Sequence, residues 1–159
     1  MRVLPTDPGA LLIVYTDGAA RGNPGPAGIG VHITSEDGRT VRTLSEGIGP
    51  ATNNVAEYRA ALAGLRLAAE LGARRILLRA DSRLLIEQLE GRFRVRNPTL
   101  RVLHKEAREL LRGFDSVSME HVPRKANAEA DALANEGVDA WLAEHDWEPP
   151  GADPSLFEP

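Results

Sequence analysis

The 159 residues carry 19 Lys and Arg against 23 Asp and Glu, a formal net charge of −4, and no cysteine. That length suits one domain able to bury roughly two thirds or more of its unfolded surface. The missing cysteines exclude disulfides, thiolate nucleophiles and cysteine zinc sites, and agree with a reducing compartment.

The opening MRVLPTDPGA has no apolar run of the kind a signal peptide needs, and no stretch reaches the roughly 18 consecutive apolar residues of a membrane span. The expectation is a soluble, cytoplasmic protein with no membrane partner. Residues 1–10, with Pro5, Pro8 and Gly9, read as a loose lead-in to a domain over 11–143.

Along that domain, LLIVYT (11–16) is a short β-rich run, followed by the turn-rich DGAARGNPGPAG. GIGVHIT (28–34) and TVRTLSEGI (40–48) read as strands flanking Glu36-Asp37-Gly38-Arg39, whose Asp-Gly marks a hairpin. The period then becomes 3.6: Tyr58, Ala61, Leu62, Leu65, Ala69 and Gly72 share one face of a helix over Val55 to Leu71. RILLRA (75–80) is the next strand, and a helix between strands implies a parallel crossover. A helix over 82–90 follows. Asn97-Pro98 then opens a helix that runs to Leu111 and ends at Gly113. VSMEHV (117–122) precedes an Ala-rich helix from Ala128 to Leu142, and 144–159, with five acids, four prolines and no Lys or Arg, reads as a disordered acidic tail. The order β-β-β-α-β-α-α-β-α predicts an α/β fold, a mixed five-stranded sheet with helices on both faces.

The charge is unevenly spread. Without the tail's five acids the other 143 residues total +1, and segment 83–112 holds eight basic residues against four glutamates. That excess makes either an electropositive binding surface or a solvated helix laced with ion pairs such as Lys105 with Glu109.

Four carboxylates stand out. Asp17 ends the first predicted strand and Asp81 the fourth, and sites in open α/β sheets lie beyond the carboxyl ends of parallel strands. Glu57 and Asp131 fall in the first turns of helices, where free N–H groups favour anions. Taken singly, each has an ordinary use: Asp17-Gly18 as a turn, Asn54-x-x-Glu57 as a capping box, Asp81-Ser82 as a helix cap, Asp131 as a dipole complement. Taken together they describe a convergent cluster whose mutual repulsion a cation relieves, and hard oxygen donors select Mg2+ or Mn2+. Two such ions about 3.5–4 Å apart suit phosphodiester hydrolysis.

In YTDGAARGNPGPAGIG (15–30), TNNVAEYRAAL (52–62), ADSRLLIEQL (80–89) and NAEADALA (127–134), the chain resembles the type 1 ribonucleases H over residues 11–142. The resemblance implies cleavage of the RNA strand of RNA/DNA hybrids to 3'-hydroxyl and 5'-phosphate ends. It also implies Asp17, Glu57, Asp81 and Asp131 as metal ligands, with two ions in the substrate complex. By position it implies Asn23 and Asn54 in the minor groove, where 2'-hydroxyls mark RNA. Glycines 18, 22 and 25 would allow close backbone approach, and Thr52 would bind a DNA-strand phosphate or serve only as a helix cap. Gly28 and Gly30 read as serving the strand turn.

Three departures from the family pattern stand out. HVPRKANAEAD is too short for the loop histidine of many members. His121 reads as a strand histidine, and Arg124 becomes the auxiliary residue near the scissile phosphate. The basic protrusion is missing, so Arg92, Arg94 and Arg96 are expected to take over part of its hybrid binding. Arg83 stands where glutamine is common. The alternative is a non-catalytic hybrid-binding module on the same fold. No organic cofactor is expected, since Gly28-x-Gly30 lacks the third glycine of a dinucleotide loop. A monomer is expected, and a junction resolvase or integrase-type nuclease on the same fold is set aside because such enzymes would be expected to act as dimers or with extra DNA-binding domains.

Overall fold

A computed structural model describes residues 9–149; the lead-in through residue 8 and the tail from residue 150 lie outside it. The elements are β1 (Leu11–Ala20), β2 (Gly25–Ser35), β3 (Thr40–Ala51), α1 (Asn53–Glu70), β4 (Arg75–Ala80), α2 (Arg83–Leu89), α3 (Pro98–Leu111), β5 (Ser116–His121), a 3-10 turn (Arg124–Asn127) and α4 (Ala128–Glu144). The sheet order is β3-β2-β1-β4-β5. The first three strands form an antiparallel meander, and β4 and β5 add in parallel beside β1. The crossover through α1 therefore delivers β4 to β1 and not to β3.

The expected loop at 17–28 is mostly strand. β1 and β2 stay paired out to Ala20↔Ala27, leaving a turn at 21–24 that contains the cis Asn23–Pro24 peptide. Gly28 and Gly30, expected to serve the strand turn, are ladder residues paired with Ala19 and Asp17. Their need is proximity. A Cβ on Gly30 would lie 2.1 Å from the carbonyl oxygen of Ala130, and one on Gly28 2.3 Å from that of Ala134, so the bare backbone seats α4 directly on the sheet. From the other partner, a Cβ on Gly137 of α4 would lie 2.5 Å from the carbonyl oxygen of Glu46.

α1 covers the opposite face. Gly64 sits against Val14, Thr16 and Val31, the strand neighbours of residues that face the other way. The expected apolar stripe holds at Tyr58, Ala61, Leu62 and Leu65, all buried, but Ala69 is exposed and Ala68 fills the core in its place. Thr52 caps this helix, accepting from the Val55 amide at 3.2 Å, and Gly72 closes it at φ +79°. Inside, the Tyr58 hydroxyl donates to Gln88 Oε1 at 2.6 Å, while Gln88 Nε2 donates to the Arg94 carbonyl at 3.2 Å. This chain of bonds ties α1, α2 and the loop after α2 together. β4 and α3 have the bounds expected of them, the latter opened by Asn97 accepting from Thr99 and Leu100.

α4 continues two residues beyond expectation to Glu144, taking in the first residue of the expected tail, and His145 stacks on Trp141 with ring centroids 4.3 Å apart. Trp147 packs edge-on against the same Trp141. Among the described residues no helix is long and apolar enough to cross a membrane.

Candidate active site

The parallel ladder between β1 and β4 ends at Thr16↔Ala80. Asp17 and Asp81 are the next residue on each strand, so they share the carboxyl edge although β1 itself runs on to Ala20. Glu57 is the fifth residue of α1, in its second turn and not the first as expected, and its Oε1 accepts from the Gly18 amide at 3.1 Å. Gly18 has no space for a side chain, since its Cβ would lie 2.2 Å from the Ala56 carbonyl carbon. Its first task is to let β1 abut α1 and present that amide to Glu57. The capping-box use of Glu57 does not occur, because Thr52 caps α1 and Glu57 turns to β1.

One carboxylate oxygen each from Asp17, Glu57 and Asp81 lies within 4.8 Å of the others. Asp131, in the first turn of α4, lines the same hollow of about 330 Å3. Asp17 and Glu57 are buried, at 4% and 8% exposure, while Asp81 and Asp131 are partly open to solvent. Burial pushes the Asp17 carboxyl up to about 10, helped by its hydrogen bond to Glu57 and the charges of Glu57 and Asp81. Burial also raises Glu57, to about 7, against the opposing hydrogen bonds from Asp17 and the Gly18 amide. Both carboxyls are thus raised by burial in one another's company, which disfavours their being ionised together without a cation. Glu57 Oε2 is buried without a partner. Burying an unpaired carboxylate oxygen beside two more acids is costly unless a cation satisfies it, and an all-oxygen donor set fits a hard divalent ion.

Asn127 was not singled out by sequence reasoning, because an Asn just before a helix reads as its cap. It makes no capping bond. At 1% exposure it donates from Nδ2 to the Thr16 carbonyl at 2.9 Å and approaches Asp81 Oδ2 at 3.4 Å. It thereby takes the place of a neighbouring strand where β4 has ended. Arg21 was missed as well: it pairs with Asp139 at 2.6 Å on the rim of the hollow, and nothing in its sequence surroundings separates it from an ordinary turn arginine.

The remaining predicted residues fall in three places. Asn23, Thr52 and Asn54 gather at the start of α1, where Asn23 Oδ1 accepts from the Asn53 amide at 3.0 Å. Arg124 lines the hollow, with its side chain 82% exposed and Nη2 3.7 Å from Asp131 Oδ1. Arg83 is exposed at the first position of α2, and Arg94 lies beyond the far end of that helix, outside the acidic hollow. His121, the last residue of β5, is exposed and bonds the Asp81 carbonyl at 3.2 Å. A larger hollow of about 520 Å3 beside the 3-10 turn mixes Arg79 and Lys125 with Glu36, Asp37 and Glu129, and these three acids are not among the carboxylates that converge within 4.8 Å of one another.

Comparison with known proteins agrees with this arrangement. A family described as reverse transcriptase-like matches residues 15–137. The chain is 50% identical over 137 residues to a ribonuclease HI of Halobacterium salinarum, a match covering 86% of this chain and 69% of that protein. It is 45% identical over 130 residues to a bifunctional protein of Mycobacterium tuberculosis, of whose length it spans 36%. The crystal structure of the H. salinarum RNase H1 superposes with a TM-score of 0.80 over 82% of this chain and 98% of that one. LC11-RNase H1, solved in complex with an RNA/DNA hybrid, is 41% identical with a TM-score of 0.78, covering 82% of this chain and 99% of its own.

Proposed function

Since the chain belongs to the type 1 ribonuclease H family, we propose that it hydrolyses the RNA strand of RNA/DNA hybrids, with Asp17, Glu57, Asp81 and Asp131 holding two divalent cations, Mg2+ or Mn2+. The observation that carries the reading is the buried acid set around Glu57 Oε2, which has no protein partner. When bound, such cations activate a water toward phosphorus and stabilise the leaving 3' oxygen. The P–O3' bond breaks, giving 3'-hydroxyl and 5'-phosphate ends.

The chain's own residues orient the duplex and manage charge. Because burial raises the Asp17 and Glu57 carboxyls, a cation held by them would compete with protons, so its binding should strengthen as pH rises. Asn23 and Asn54, beside Gly18 at the start of α1, face the minor groove, where the 2'-hydroxyl separates RNA from DNA. Thr52 both caps α1 and offers its amide neighbourhood to a DNA-strand phosphate. Arg83 and Arg94 lie along α2 and its following loop, to meet phosphates in a manner that weakens steeply with salt. Arg124, exposed beside Asp131, would carry positive charge toward the scissile phosphate. The reading takes the protein as a cytoplasmic monomer of 17.2 kDa with its catalytic domain over 11–143, a short lead-in, an acidic tail and no organic cofactor. A non-catalytic binding module is disfavoured because binding alone gains nothing from a buried cluster of mutually repelling acids.

The test is cleavage of matched RNA/DNA, RNA/RNA and DNA/DNA duplexes with Mg2+, Mn2+ or EDTA. Metal-dependent cutting of the hybrid's RNA strand alone is expected; tight hybrid binding with no cutting in any metal would move the assignment to the binding module. Arg124→Ala should lower kcat by about tenfold and change KM less, because its charge acts where negative charge accumulates. Saturating divalent metal should raise the melting temperature relative to EDTA by roughly 5–10 °C, about 2.7 kcal/mol at a hundred times Kd.

A further inference from the structure

The loop over 91–97, between α2 and α3, is built unlike the rest of the basic surface. Arg92 is neutralised there, held by Glu87 at 2.6 Å and by Glu90. Arg94 and Arg96 of the loop, and Arg101 of α3, form no side-chain ion pair or hydrogen bond among the described residues, and all three are exposed. With Val95 they line a hollow of about 290 Å3. A second hollow of about 250 Å3 shares Arg94, Val95 and Arg101 and adds Phe93. Phe93 is one of three large apolar side chains that are exposed among the described residues, at 45%. The loop is not a loose segment: Gln88 holds the Arg94 carbonyl, and the Arg92 and Phe93 amides both donate to the Glu87 carbonyl, at 2.9 and 3.1 Å.

Three unpaired guanidiniums around a hollow select an anion the size of a phosphate. The neighbouring exposed ring adds a requirement that a duplex does not meet, since paired bases are already stacked on one another. A flat aromatic face beside backbone-binding arginines suits nucleotides whose bases are free to stack. α2 sets the spacing. Its seven residues span about 10 Å, from Arg83 beside Asp81 to the loop, so a strand leaving the acidic hollow reaches Phe93 within a few nucleotides.

We infer that the 91–97 loop, with Phe93, Arg94, Arg96 and Arg101, binds unpaired nucleotides that continue from the end of the hybrid. This rests on the hybrid reading above. It makes the protein a nuclease that favours hybrids with single-stranded flanks over blunt ones.

The test uses fluorescence anisotropy and cleavage on a blunt hybrid and on the same hybrid extended by a short unpaired oligothymidine, placed at each end in turn. For the full chain, at least one extension should tighten binding and lower KM about tenfold, with kcat unchanged. Phe93→Ala should remove that gain and leave blunt-hybrid cleavage and the melting temperature as they were. Phe93→Leu, which keeps an apolar side chain but no aromatic face, should lose it too. Arg101→Gln should reduce the gain and its salt dependence. Equal affinity for blunt and extended hybrids, or a Phe93→Ala loss as large on the blunt hybrid as on the extended one, would overturn the inference. Failure to cut the blunt hybrid at all would instead count against the proposed activity.

Discussion

Asp17→Asn is expected to abolish cleavage, by at least ~10^3-fold or about 4 kcal/mol of barrier, and at the same time to raise the melting temperature of the metal-free protein. The two effects share a cause. Asp17 is held among Glu57, Asp81 and Asp131 in a buried setting that pushes its carboxyl up to about 10. Asparagine keeps the shape and a donor toward Glu57 but carries no charge to desolvate. Below the ordinary carboxylate range of about 4, folded and unfolded chains are both protonated at this position and the wild type loses nothing. As pH rises beyond that, the unfolded chain ionises first, so the wild type loses stability progressively up to the folded value. The Asn variant should therefore gain little at pH 4–5 and roughly 3–8 °C near pH 8 in EDTA, measured by thermal melts across that range. Saturating Mn2+ should shrink the difference, because the cation relieves in the wild type what asparagine removes. An Asn variant no more stable than wild type at pH 8 in EDTA would show that the four acids do not strain one another.

The second large effect is expected at Gly30, which belongs to no list of acids or substrate contacts. A Cβ there would meet the Ala130 carbonyl at 2.1 Å and the Ala134 amide nitrogen at 2.6 Å, and neither is a flexible side chain that could turn aside. Gly30→Ala must push α4 off the sheet by about an ångström, at a cost of about 3 kcal/mol and a drop of roughly 6–12 °C. Asp131 is the residue after Ala130, and Gly30 pairs with Asp17, so the same displacement opens the acidic hollow. Misplacement on that scale lowers kcat by about 10^2-fold even in the fraction that stays folded. Gly38→Ala is the control. Gly38 adopts φ +88° in the β2–β3 turn with nothing within 4 Å of its Cβ position, so it should lose about 1 kcal/mol and no activity. A Gly30→Ala protein as active as Gly38→Ala would mean that α4 can tilt without carrying Asp131 away.

These two positions mark what was legible in the sequence. The acids were, because strand ends and helix starts are read from local periodicity and four such ends converge in this fold. β4 and α3 came out with the bounds expected of them, since Asn97-Pro98 is a strong start signal and RILLRA is bounded on both sides. The β1–β2 hairpin did not. Gly18, Gly28 and Gly30 look like turn residues to any local rule, and only the packing of α1 and α4 turns them into ladder positions with no room for a side chain. Ala69 lost its expected place in the core to Ala68 for a similar reason: two alanines cannot be ordered by hydrophobicity, and the tilt of α1 on the sheet decides between them. Asn127 was opaque because its partners, the Thr16 carbonyl and Asp81, are far away in the chain. The uneven charge of segment 83–112 was visible from composition, but which of its arginines are neutralised by glutamates was not.

The helix that supplies Asp131 is the last element of the domain to leave the ribosome, and its seat is bare strand backbone laid down at the beginning of synthesis. The chain through β5 contains Asp17, Glu57 and Asp81, but neither Asn127, which bonds the end of β1, nor the fourth acid. Hybrid cutting is therefore expected only once α4 has closed over the glycines. A partly made chain, held beside the messenger it is being read from, has no finished blade.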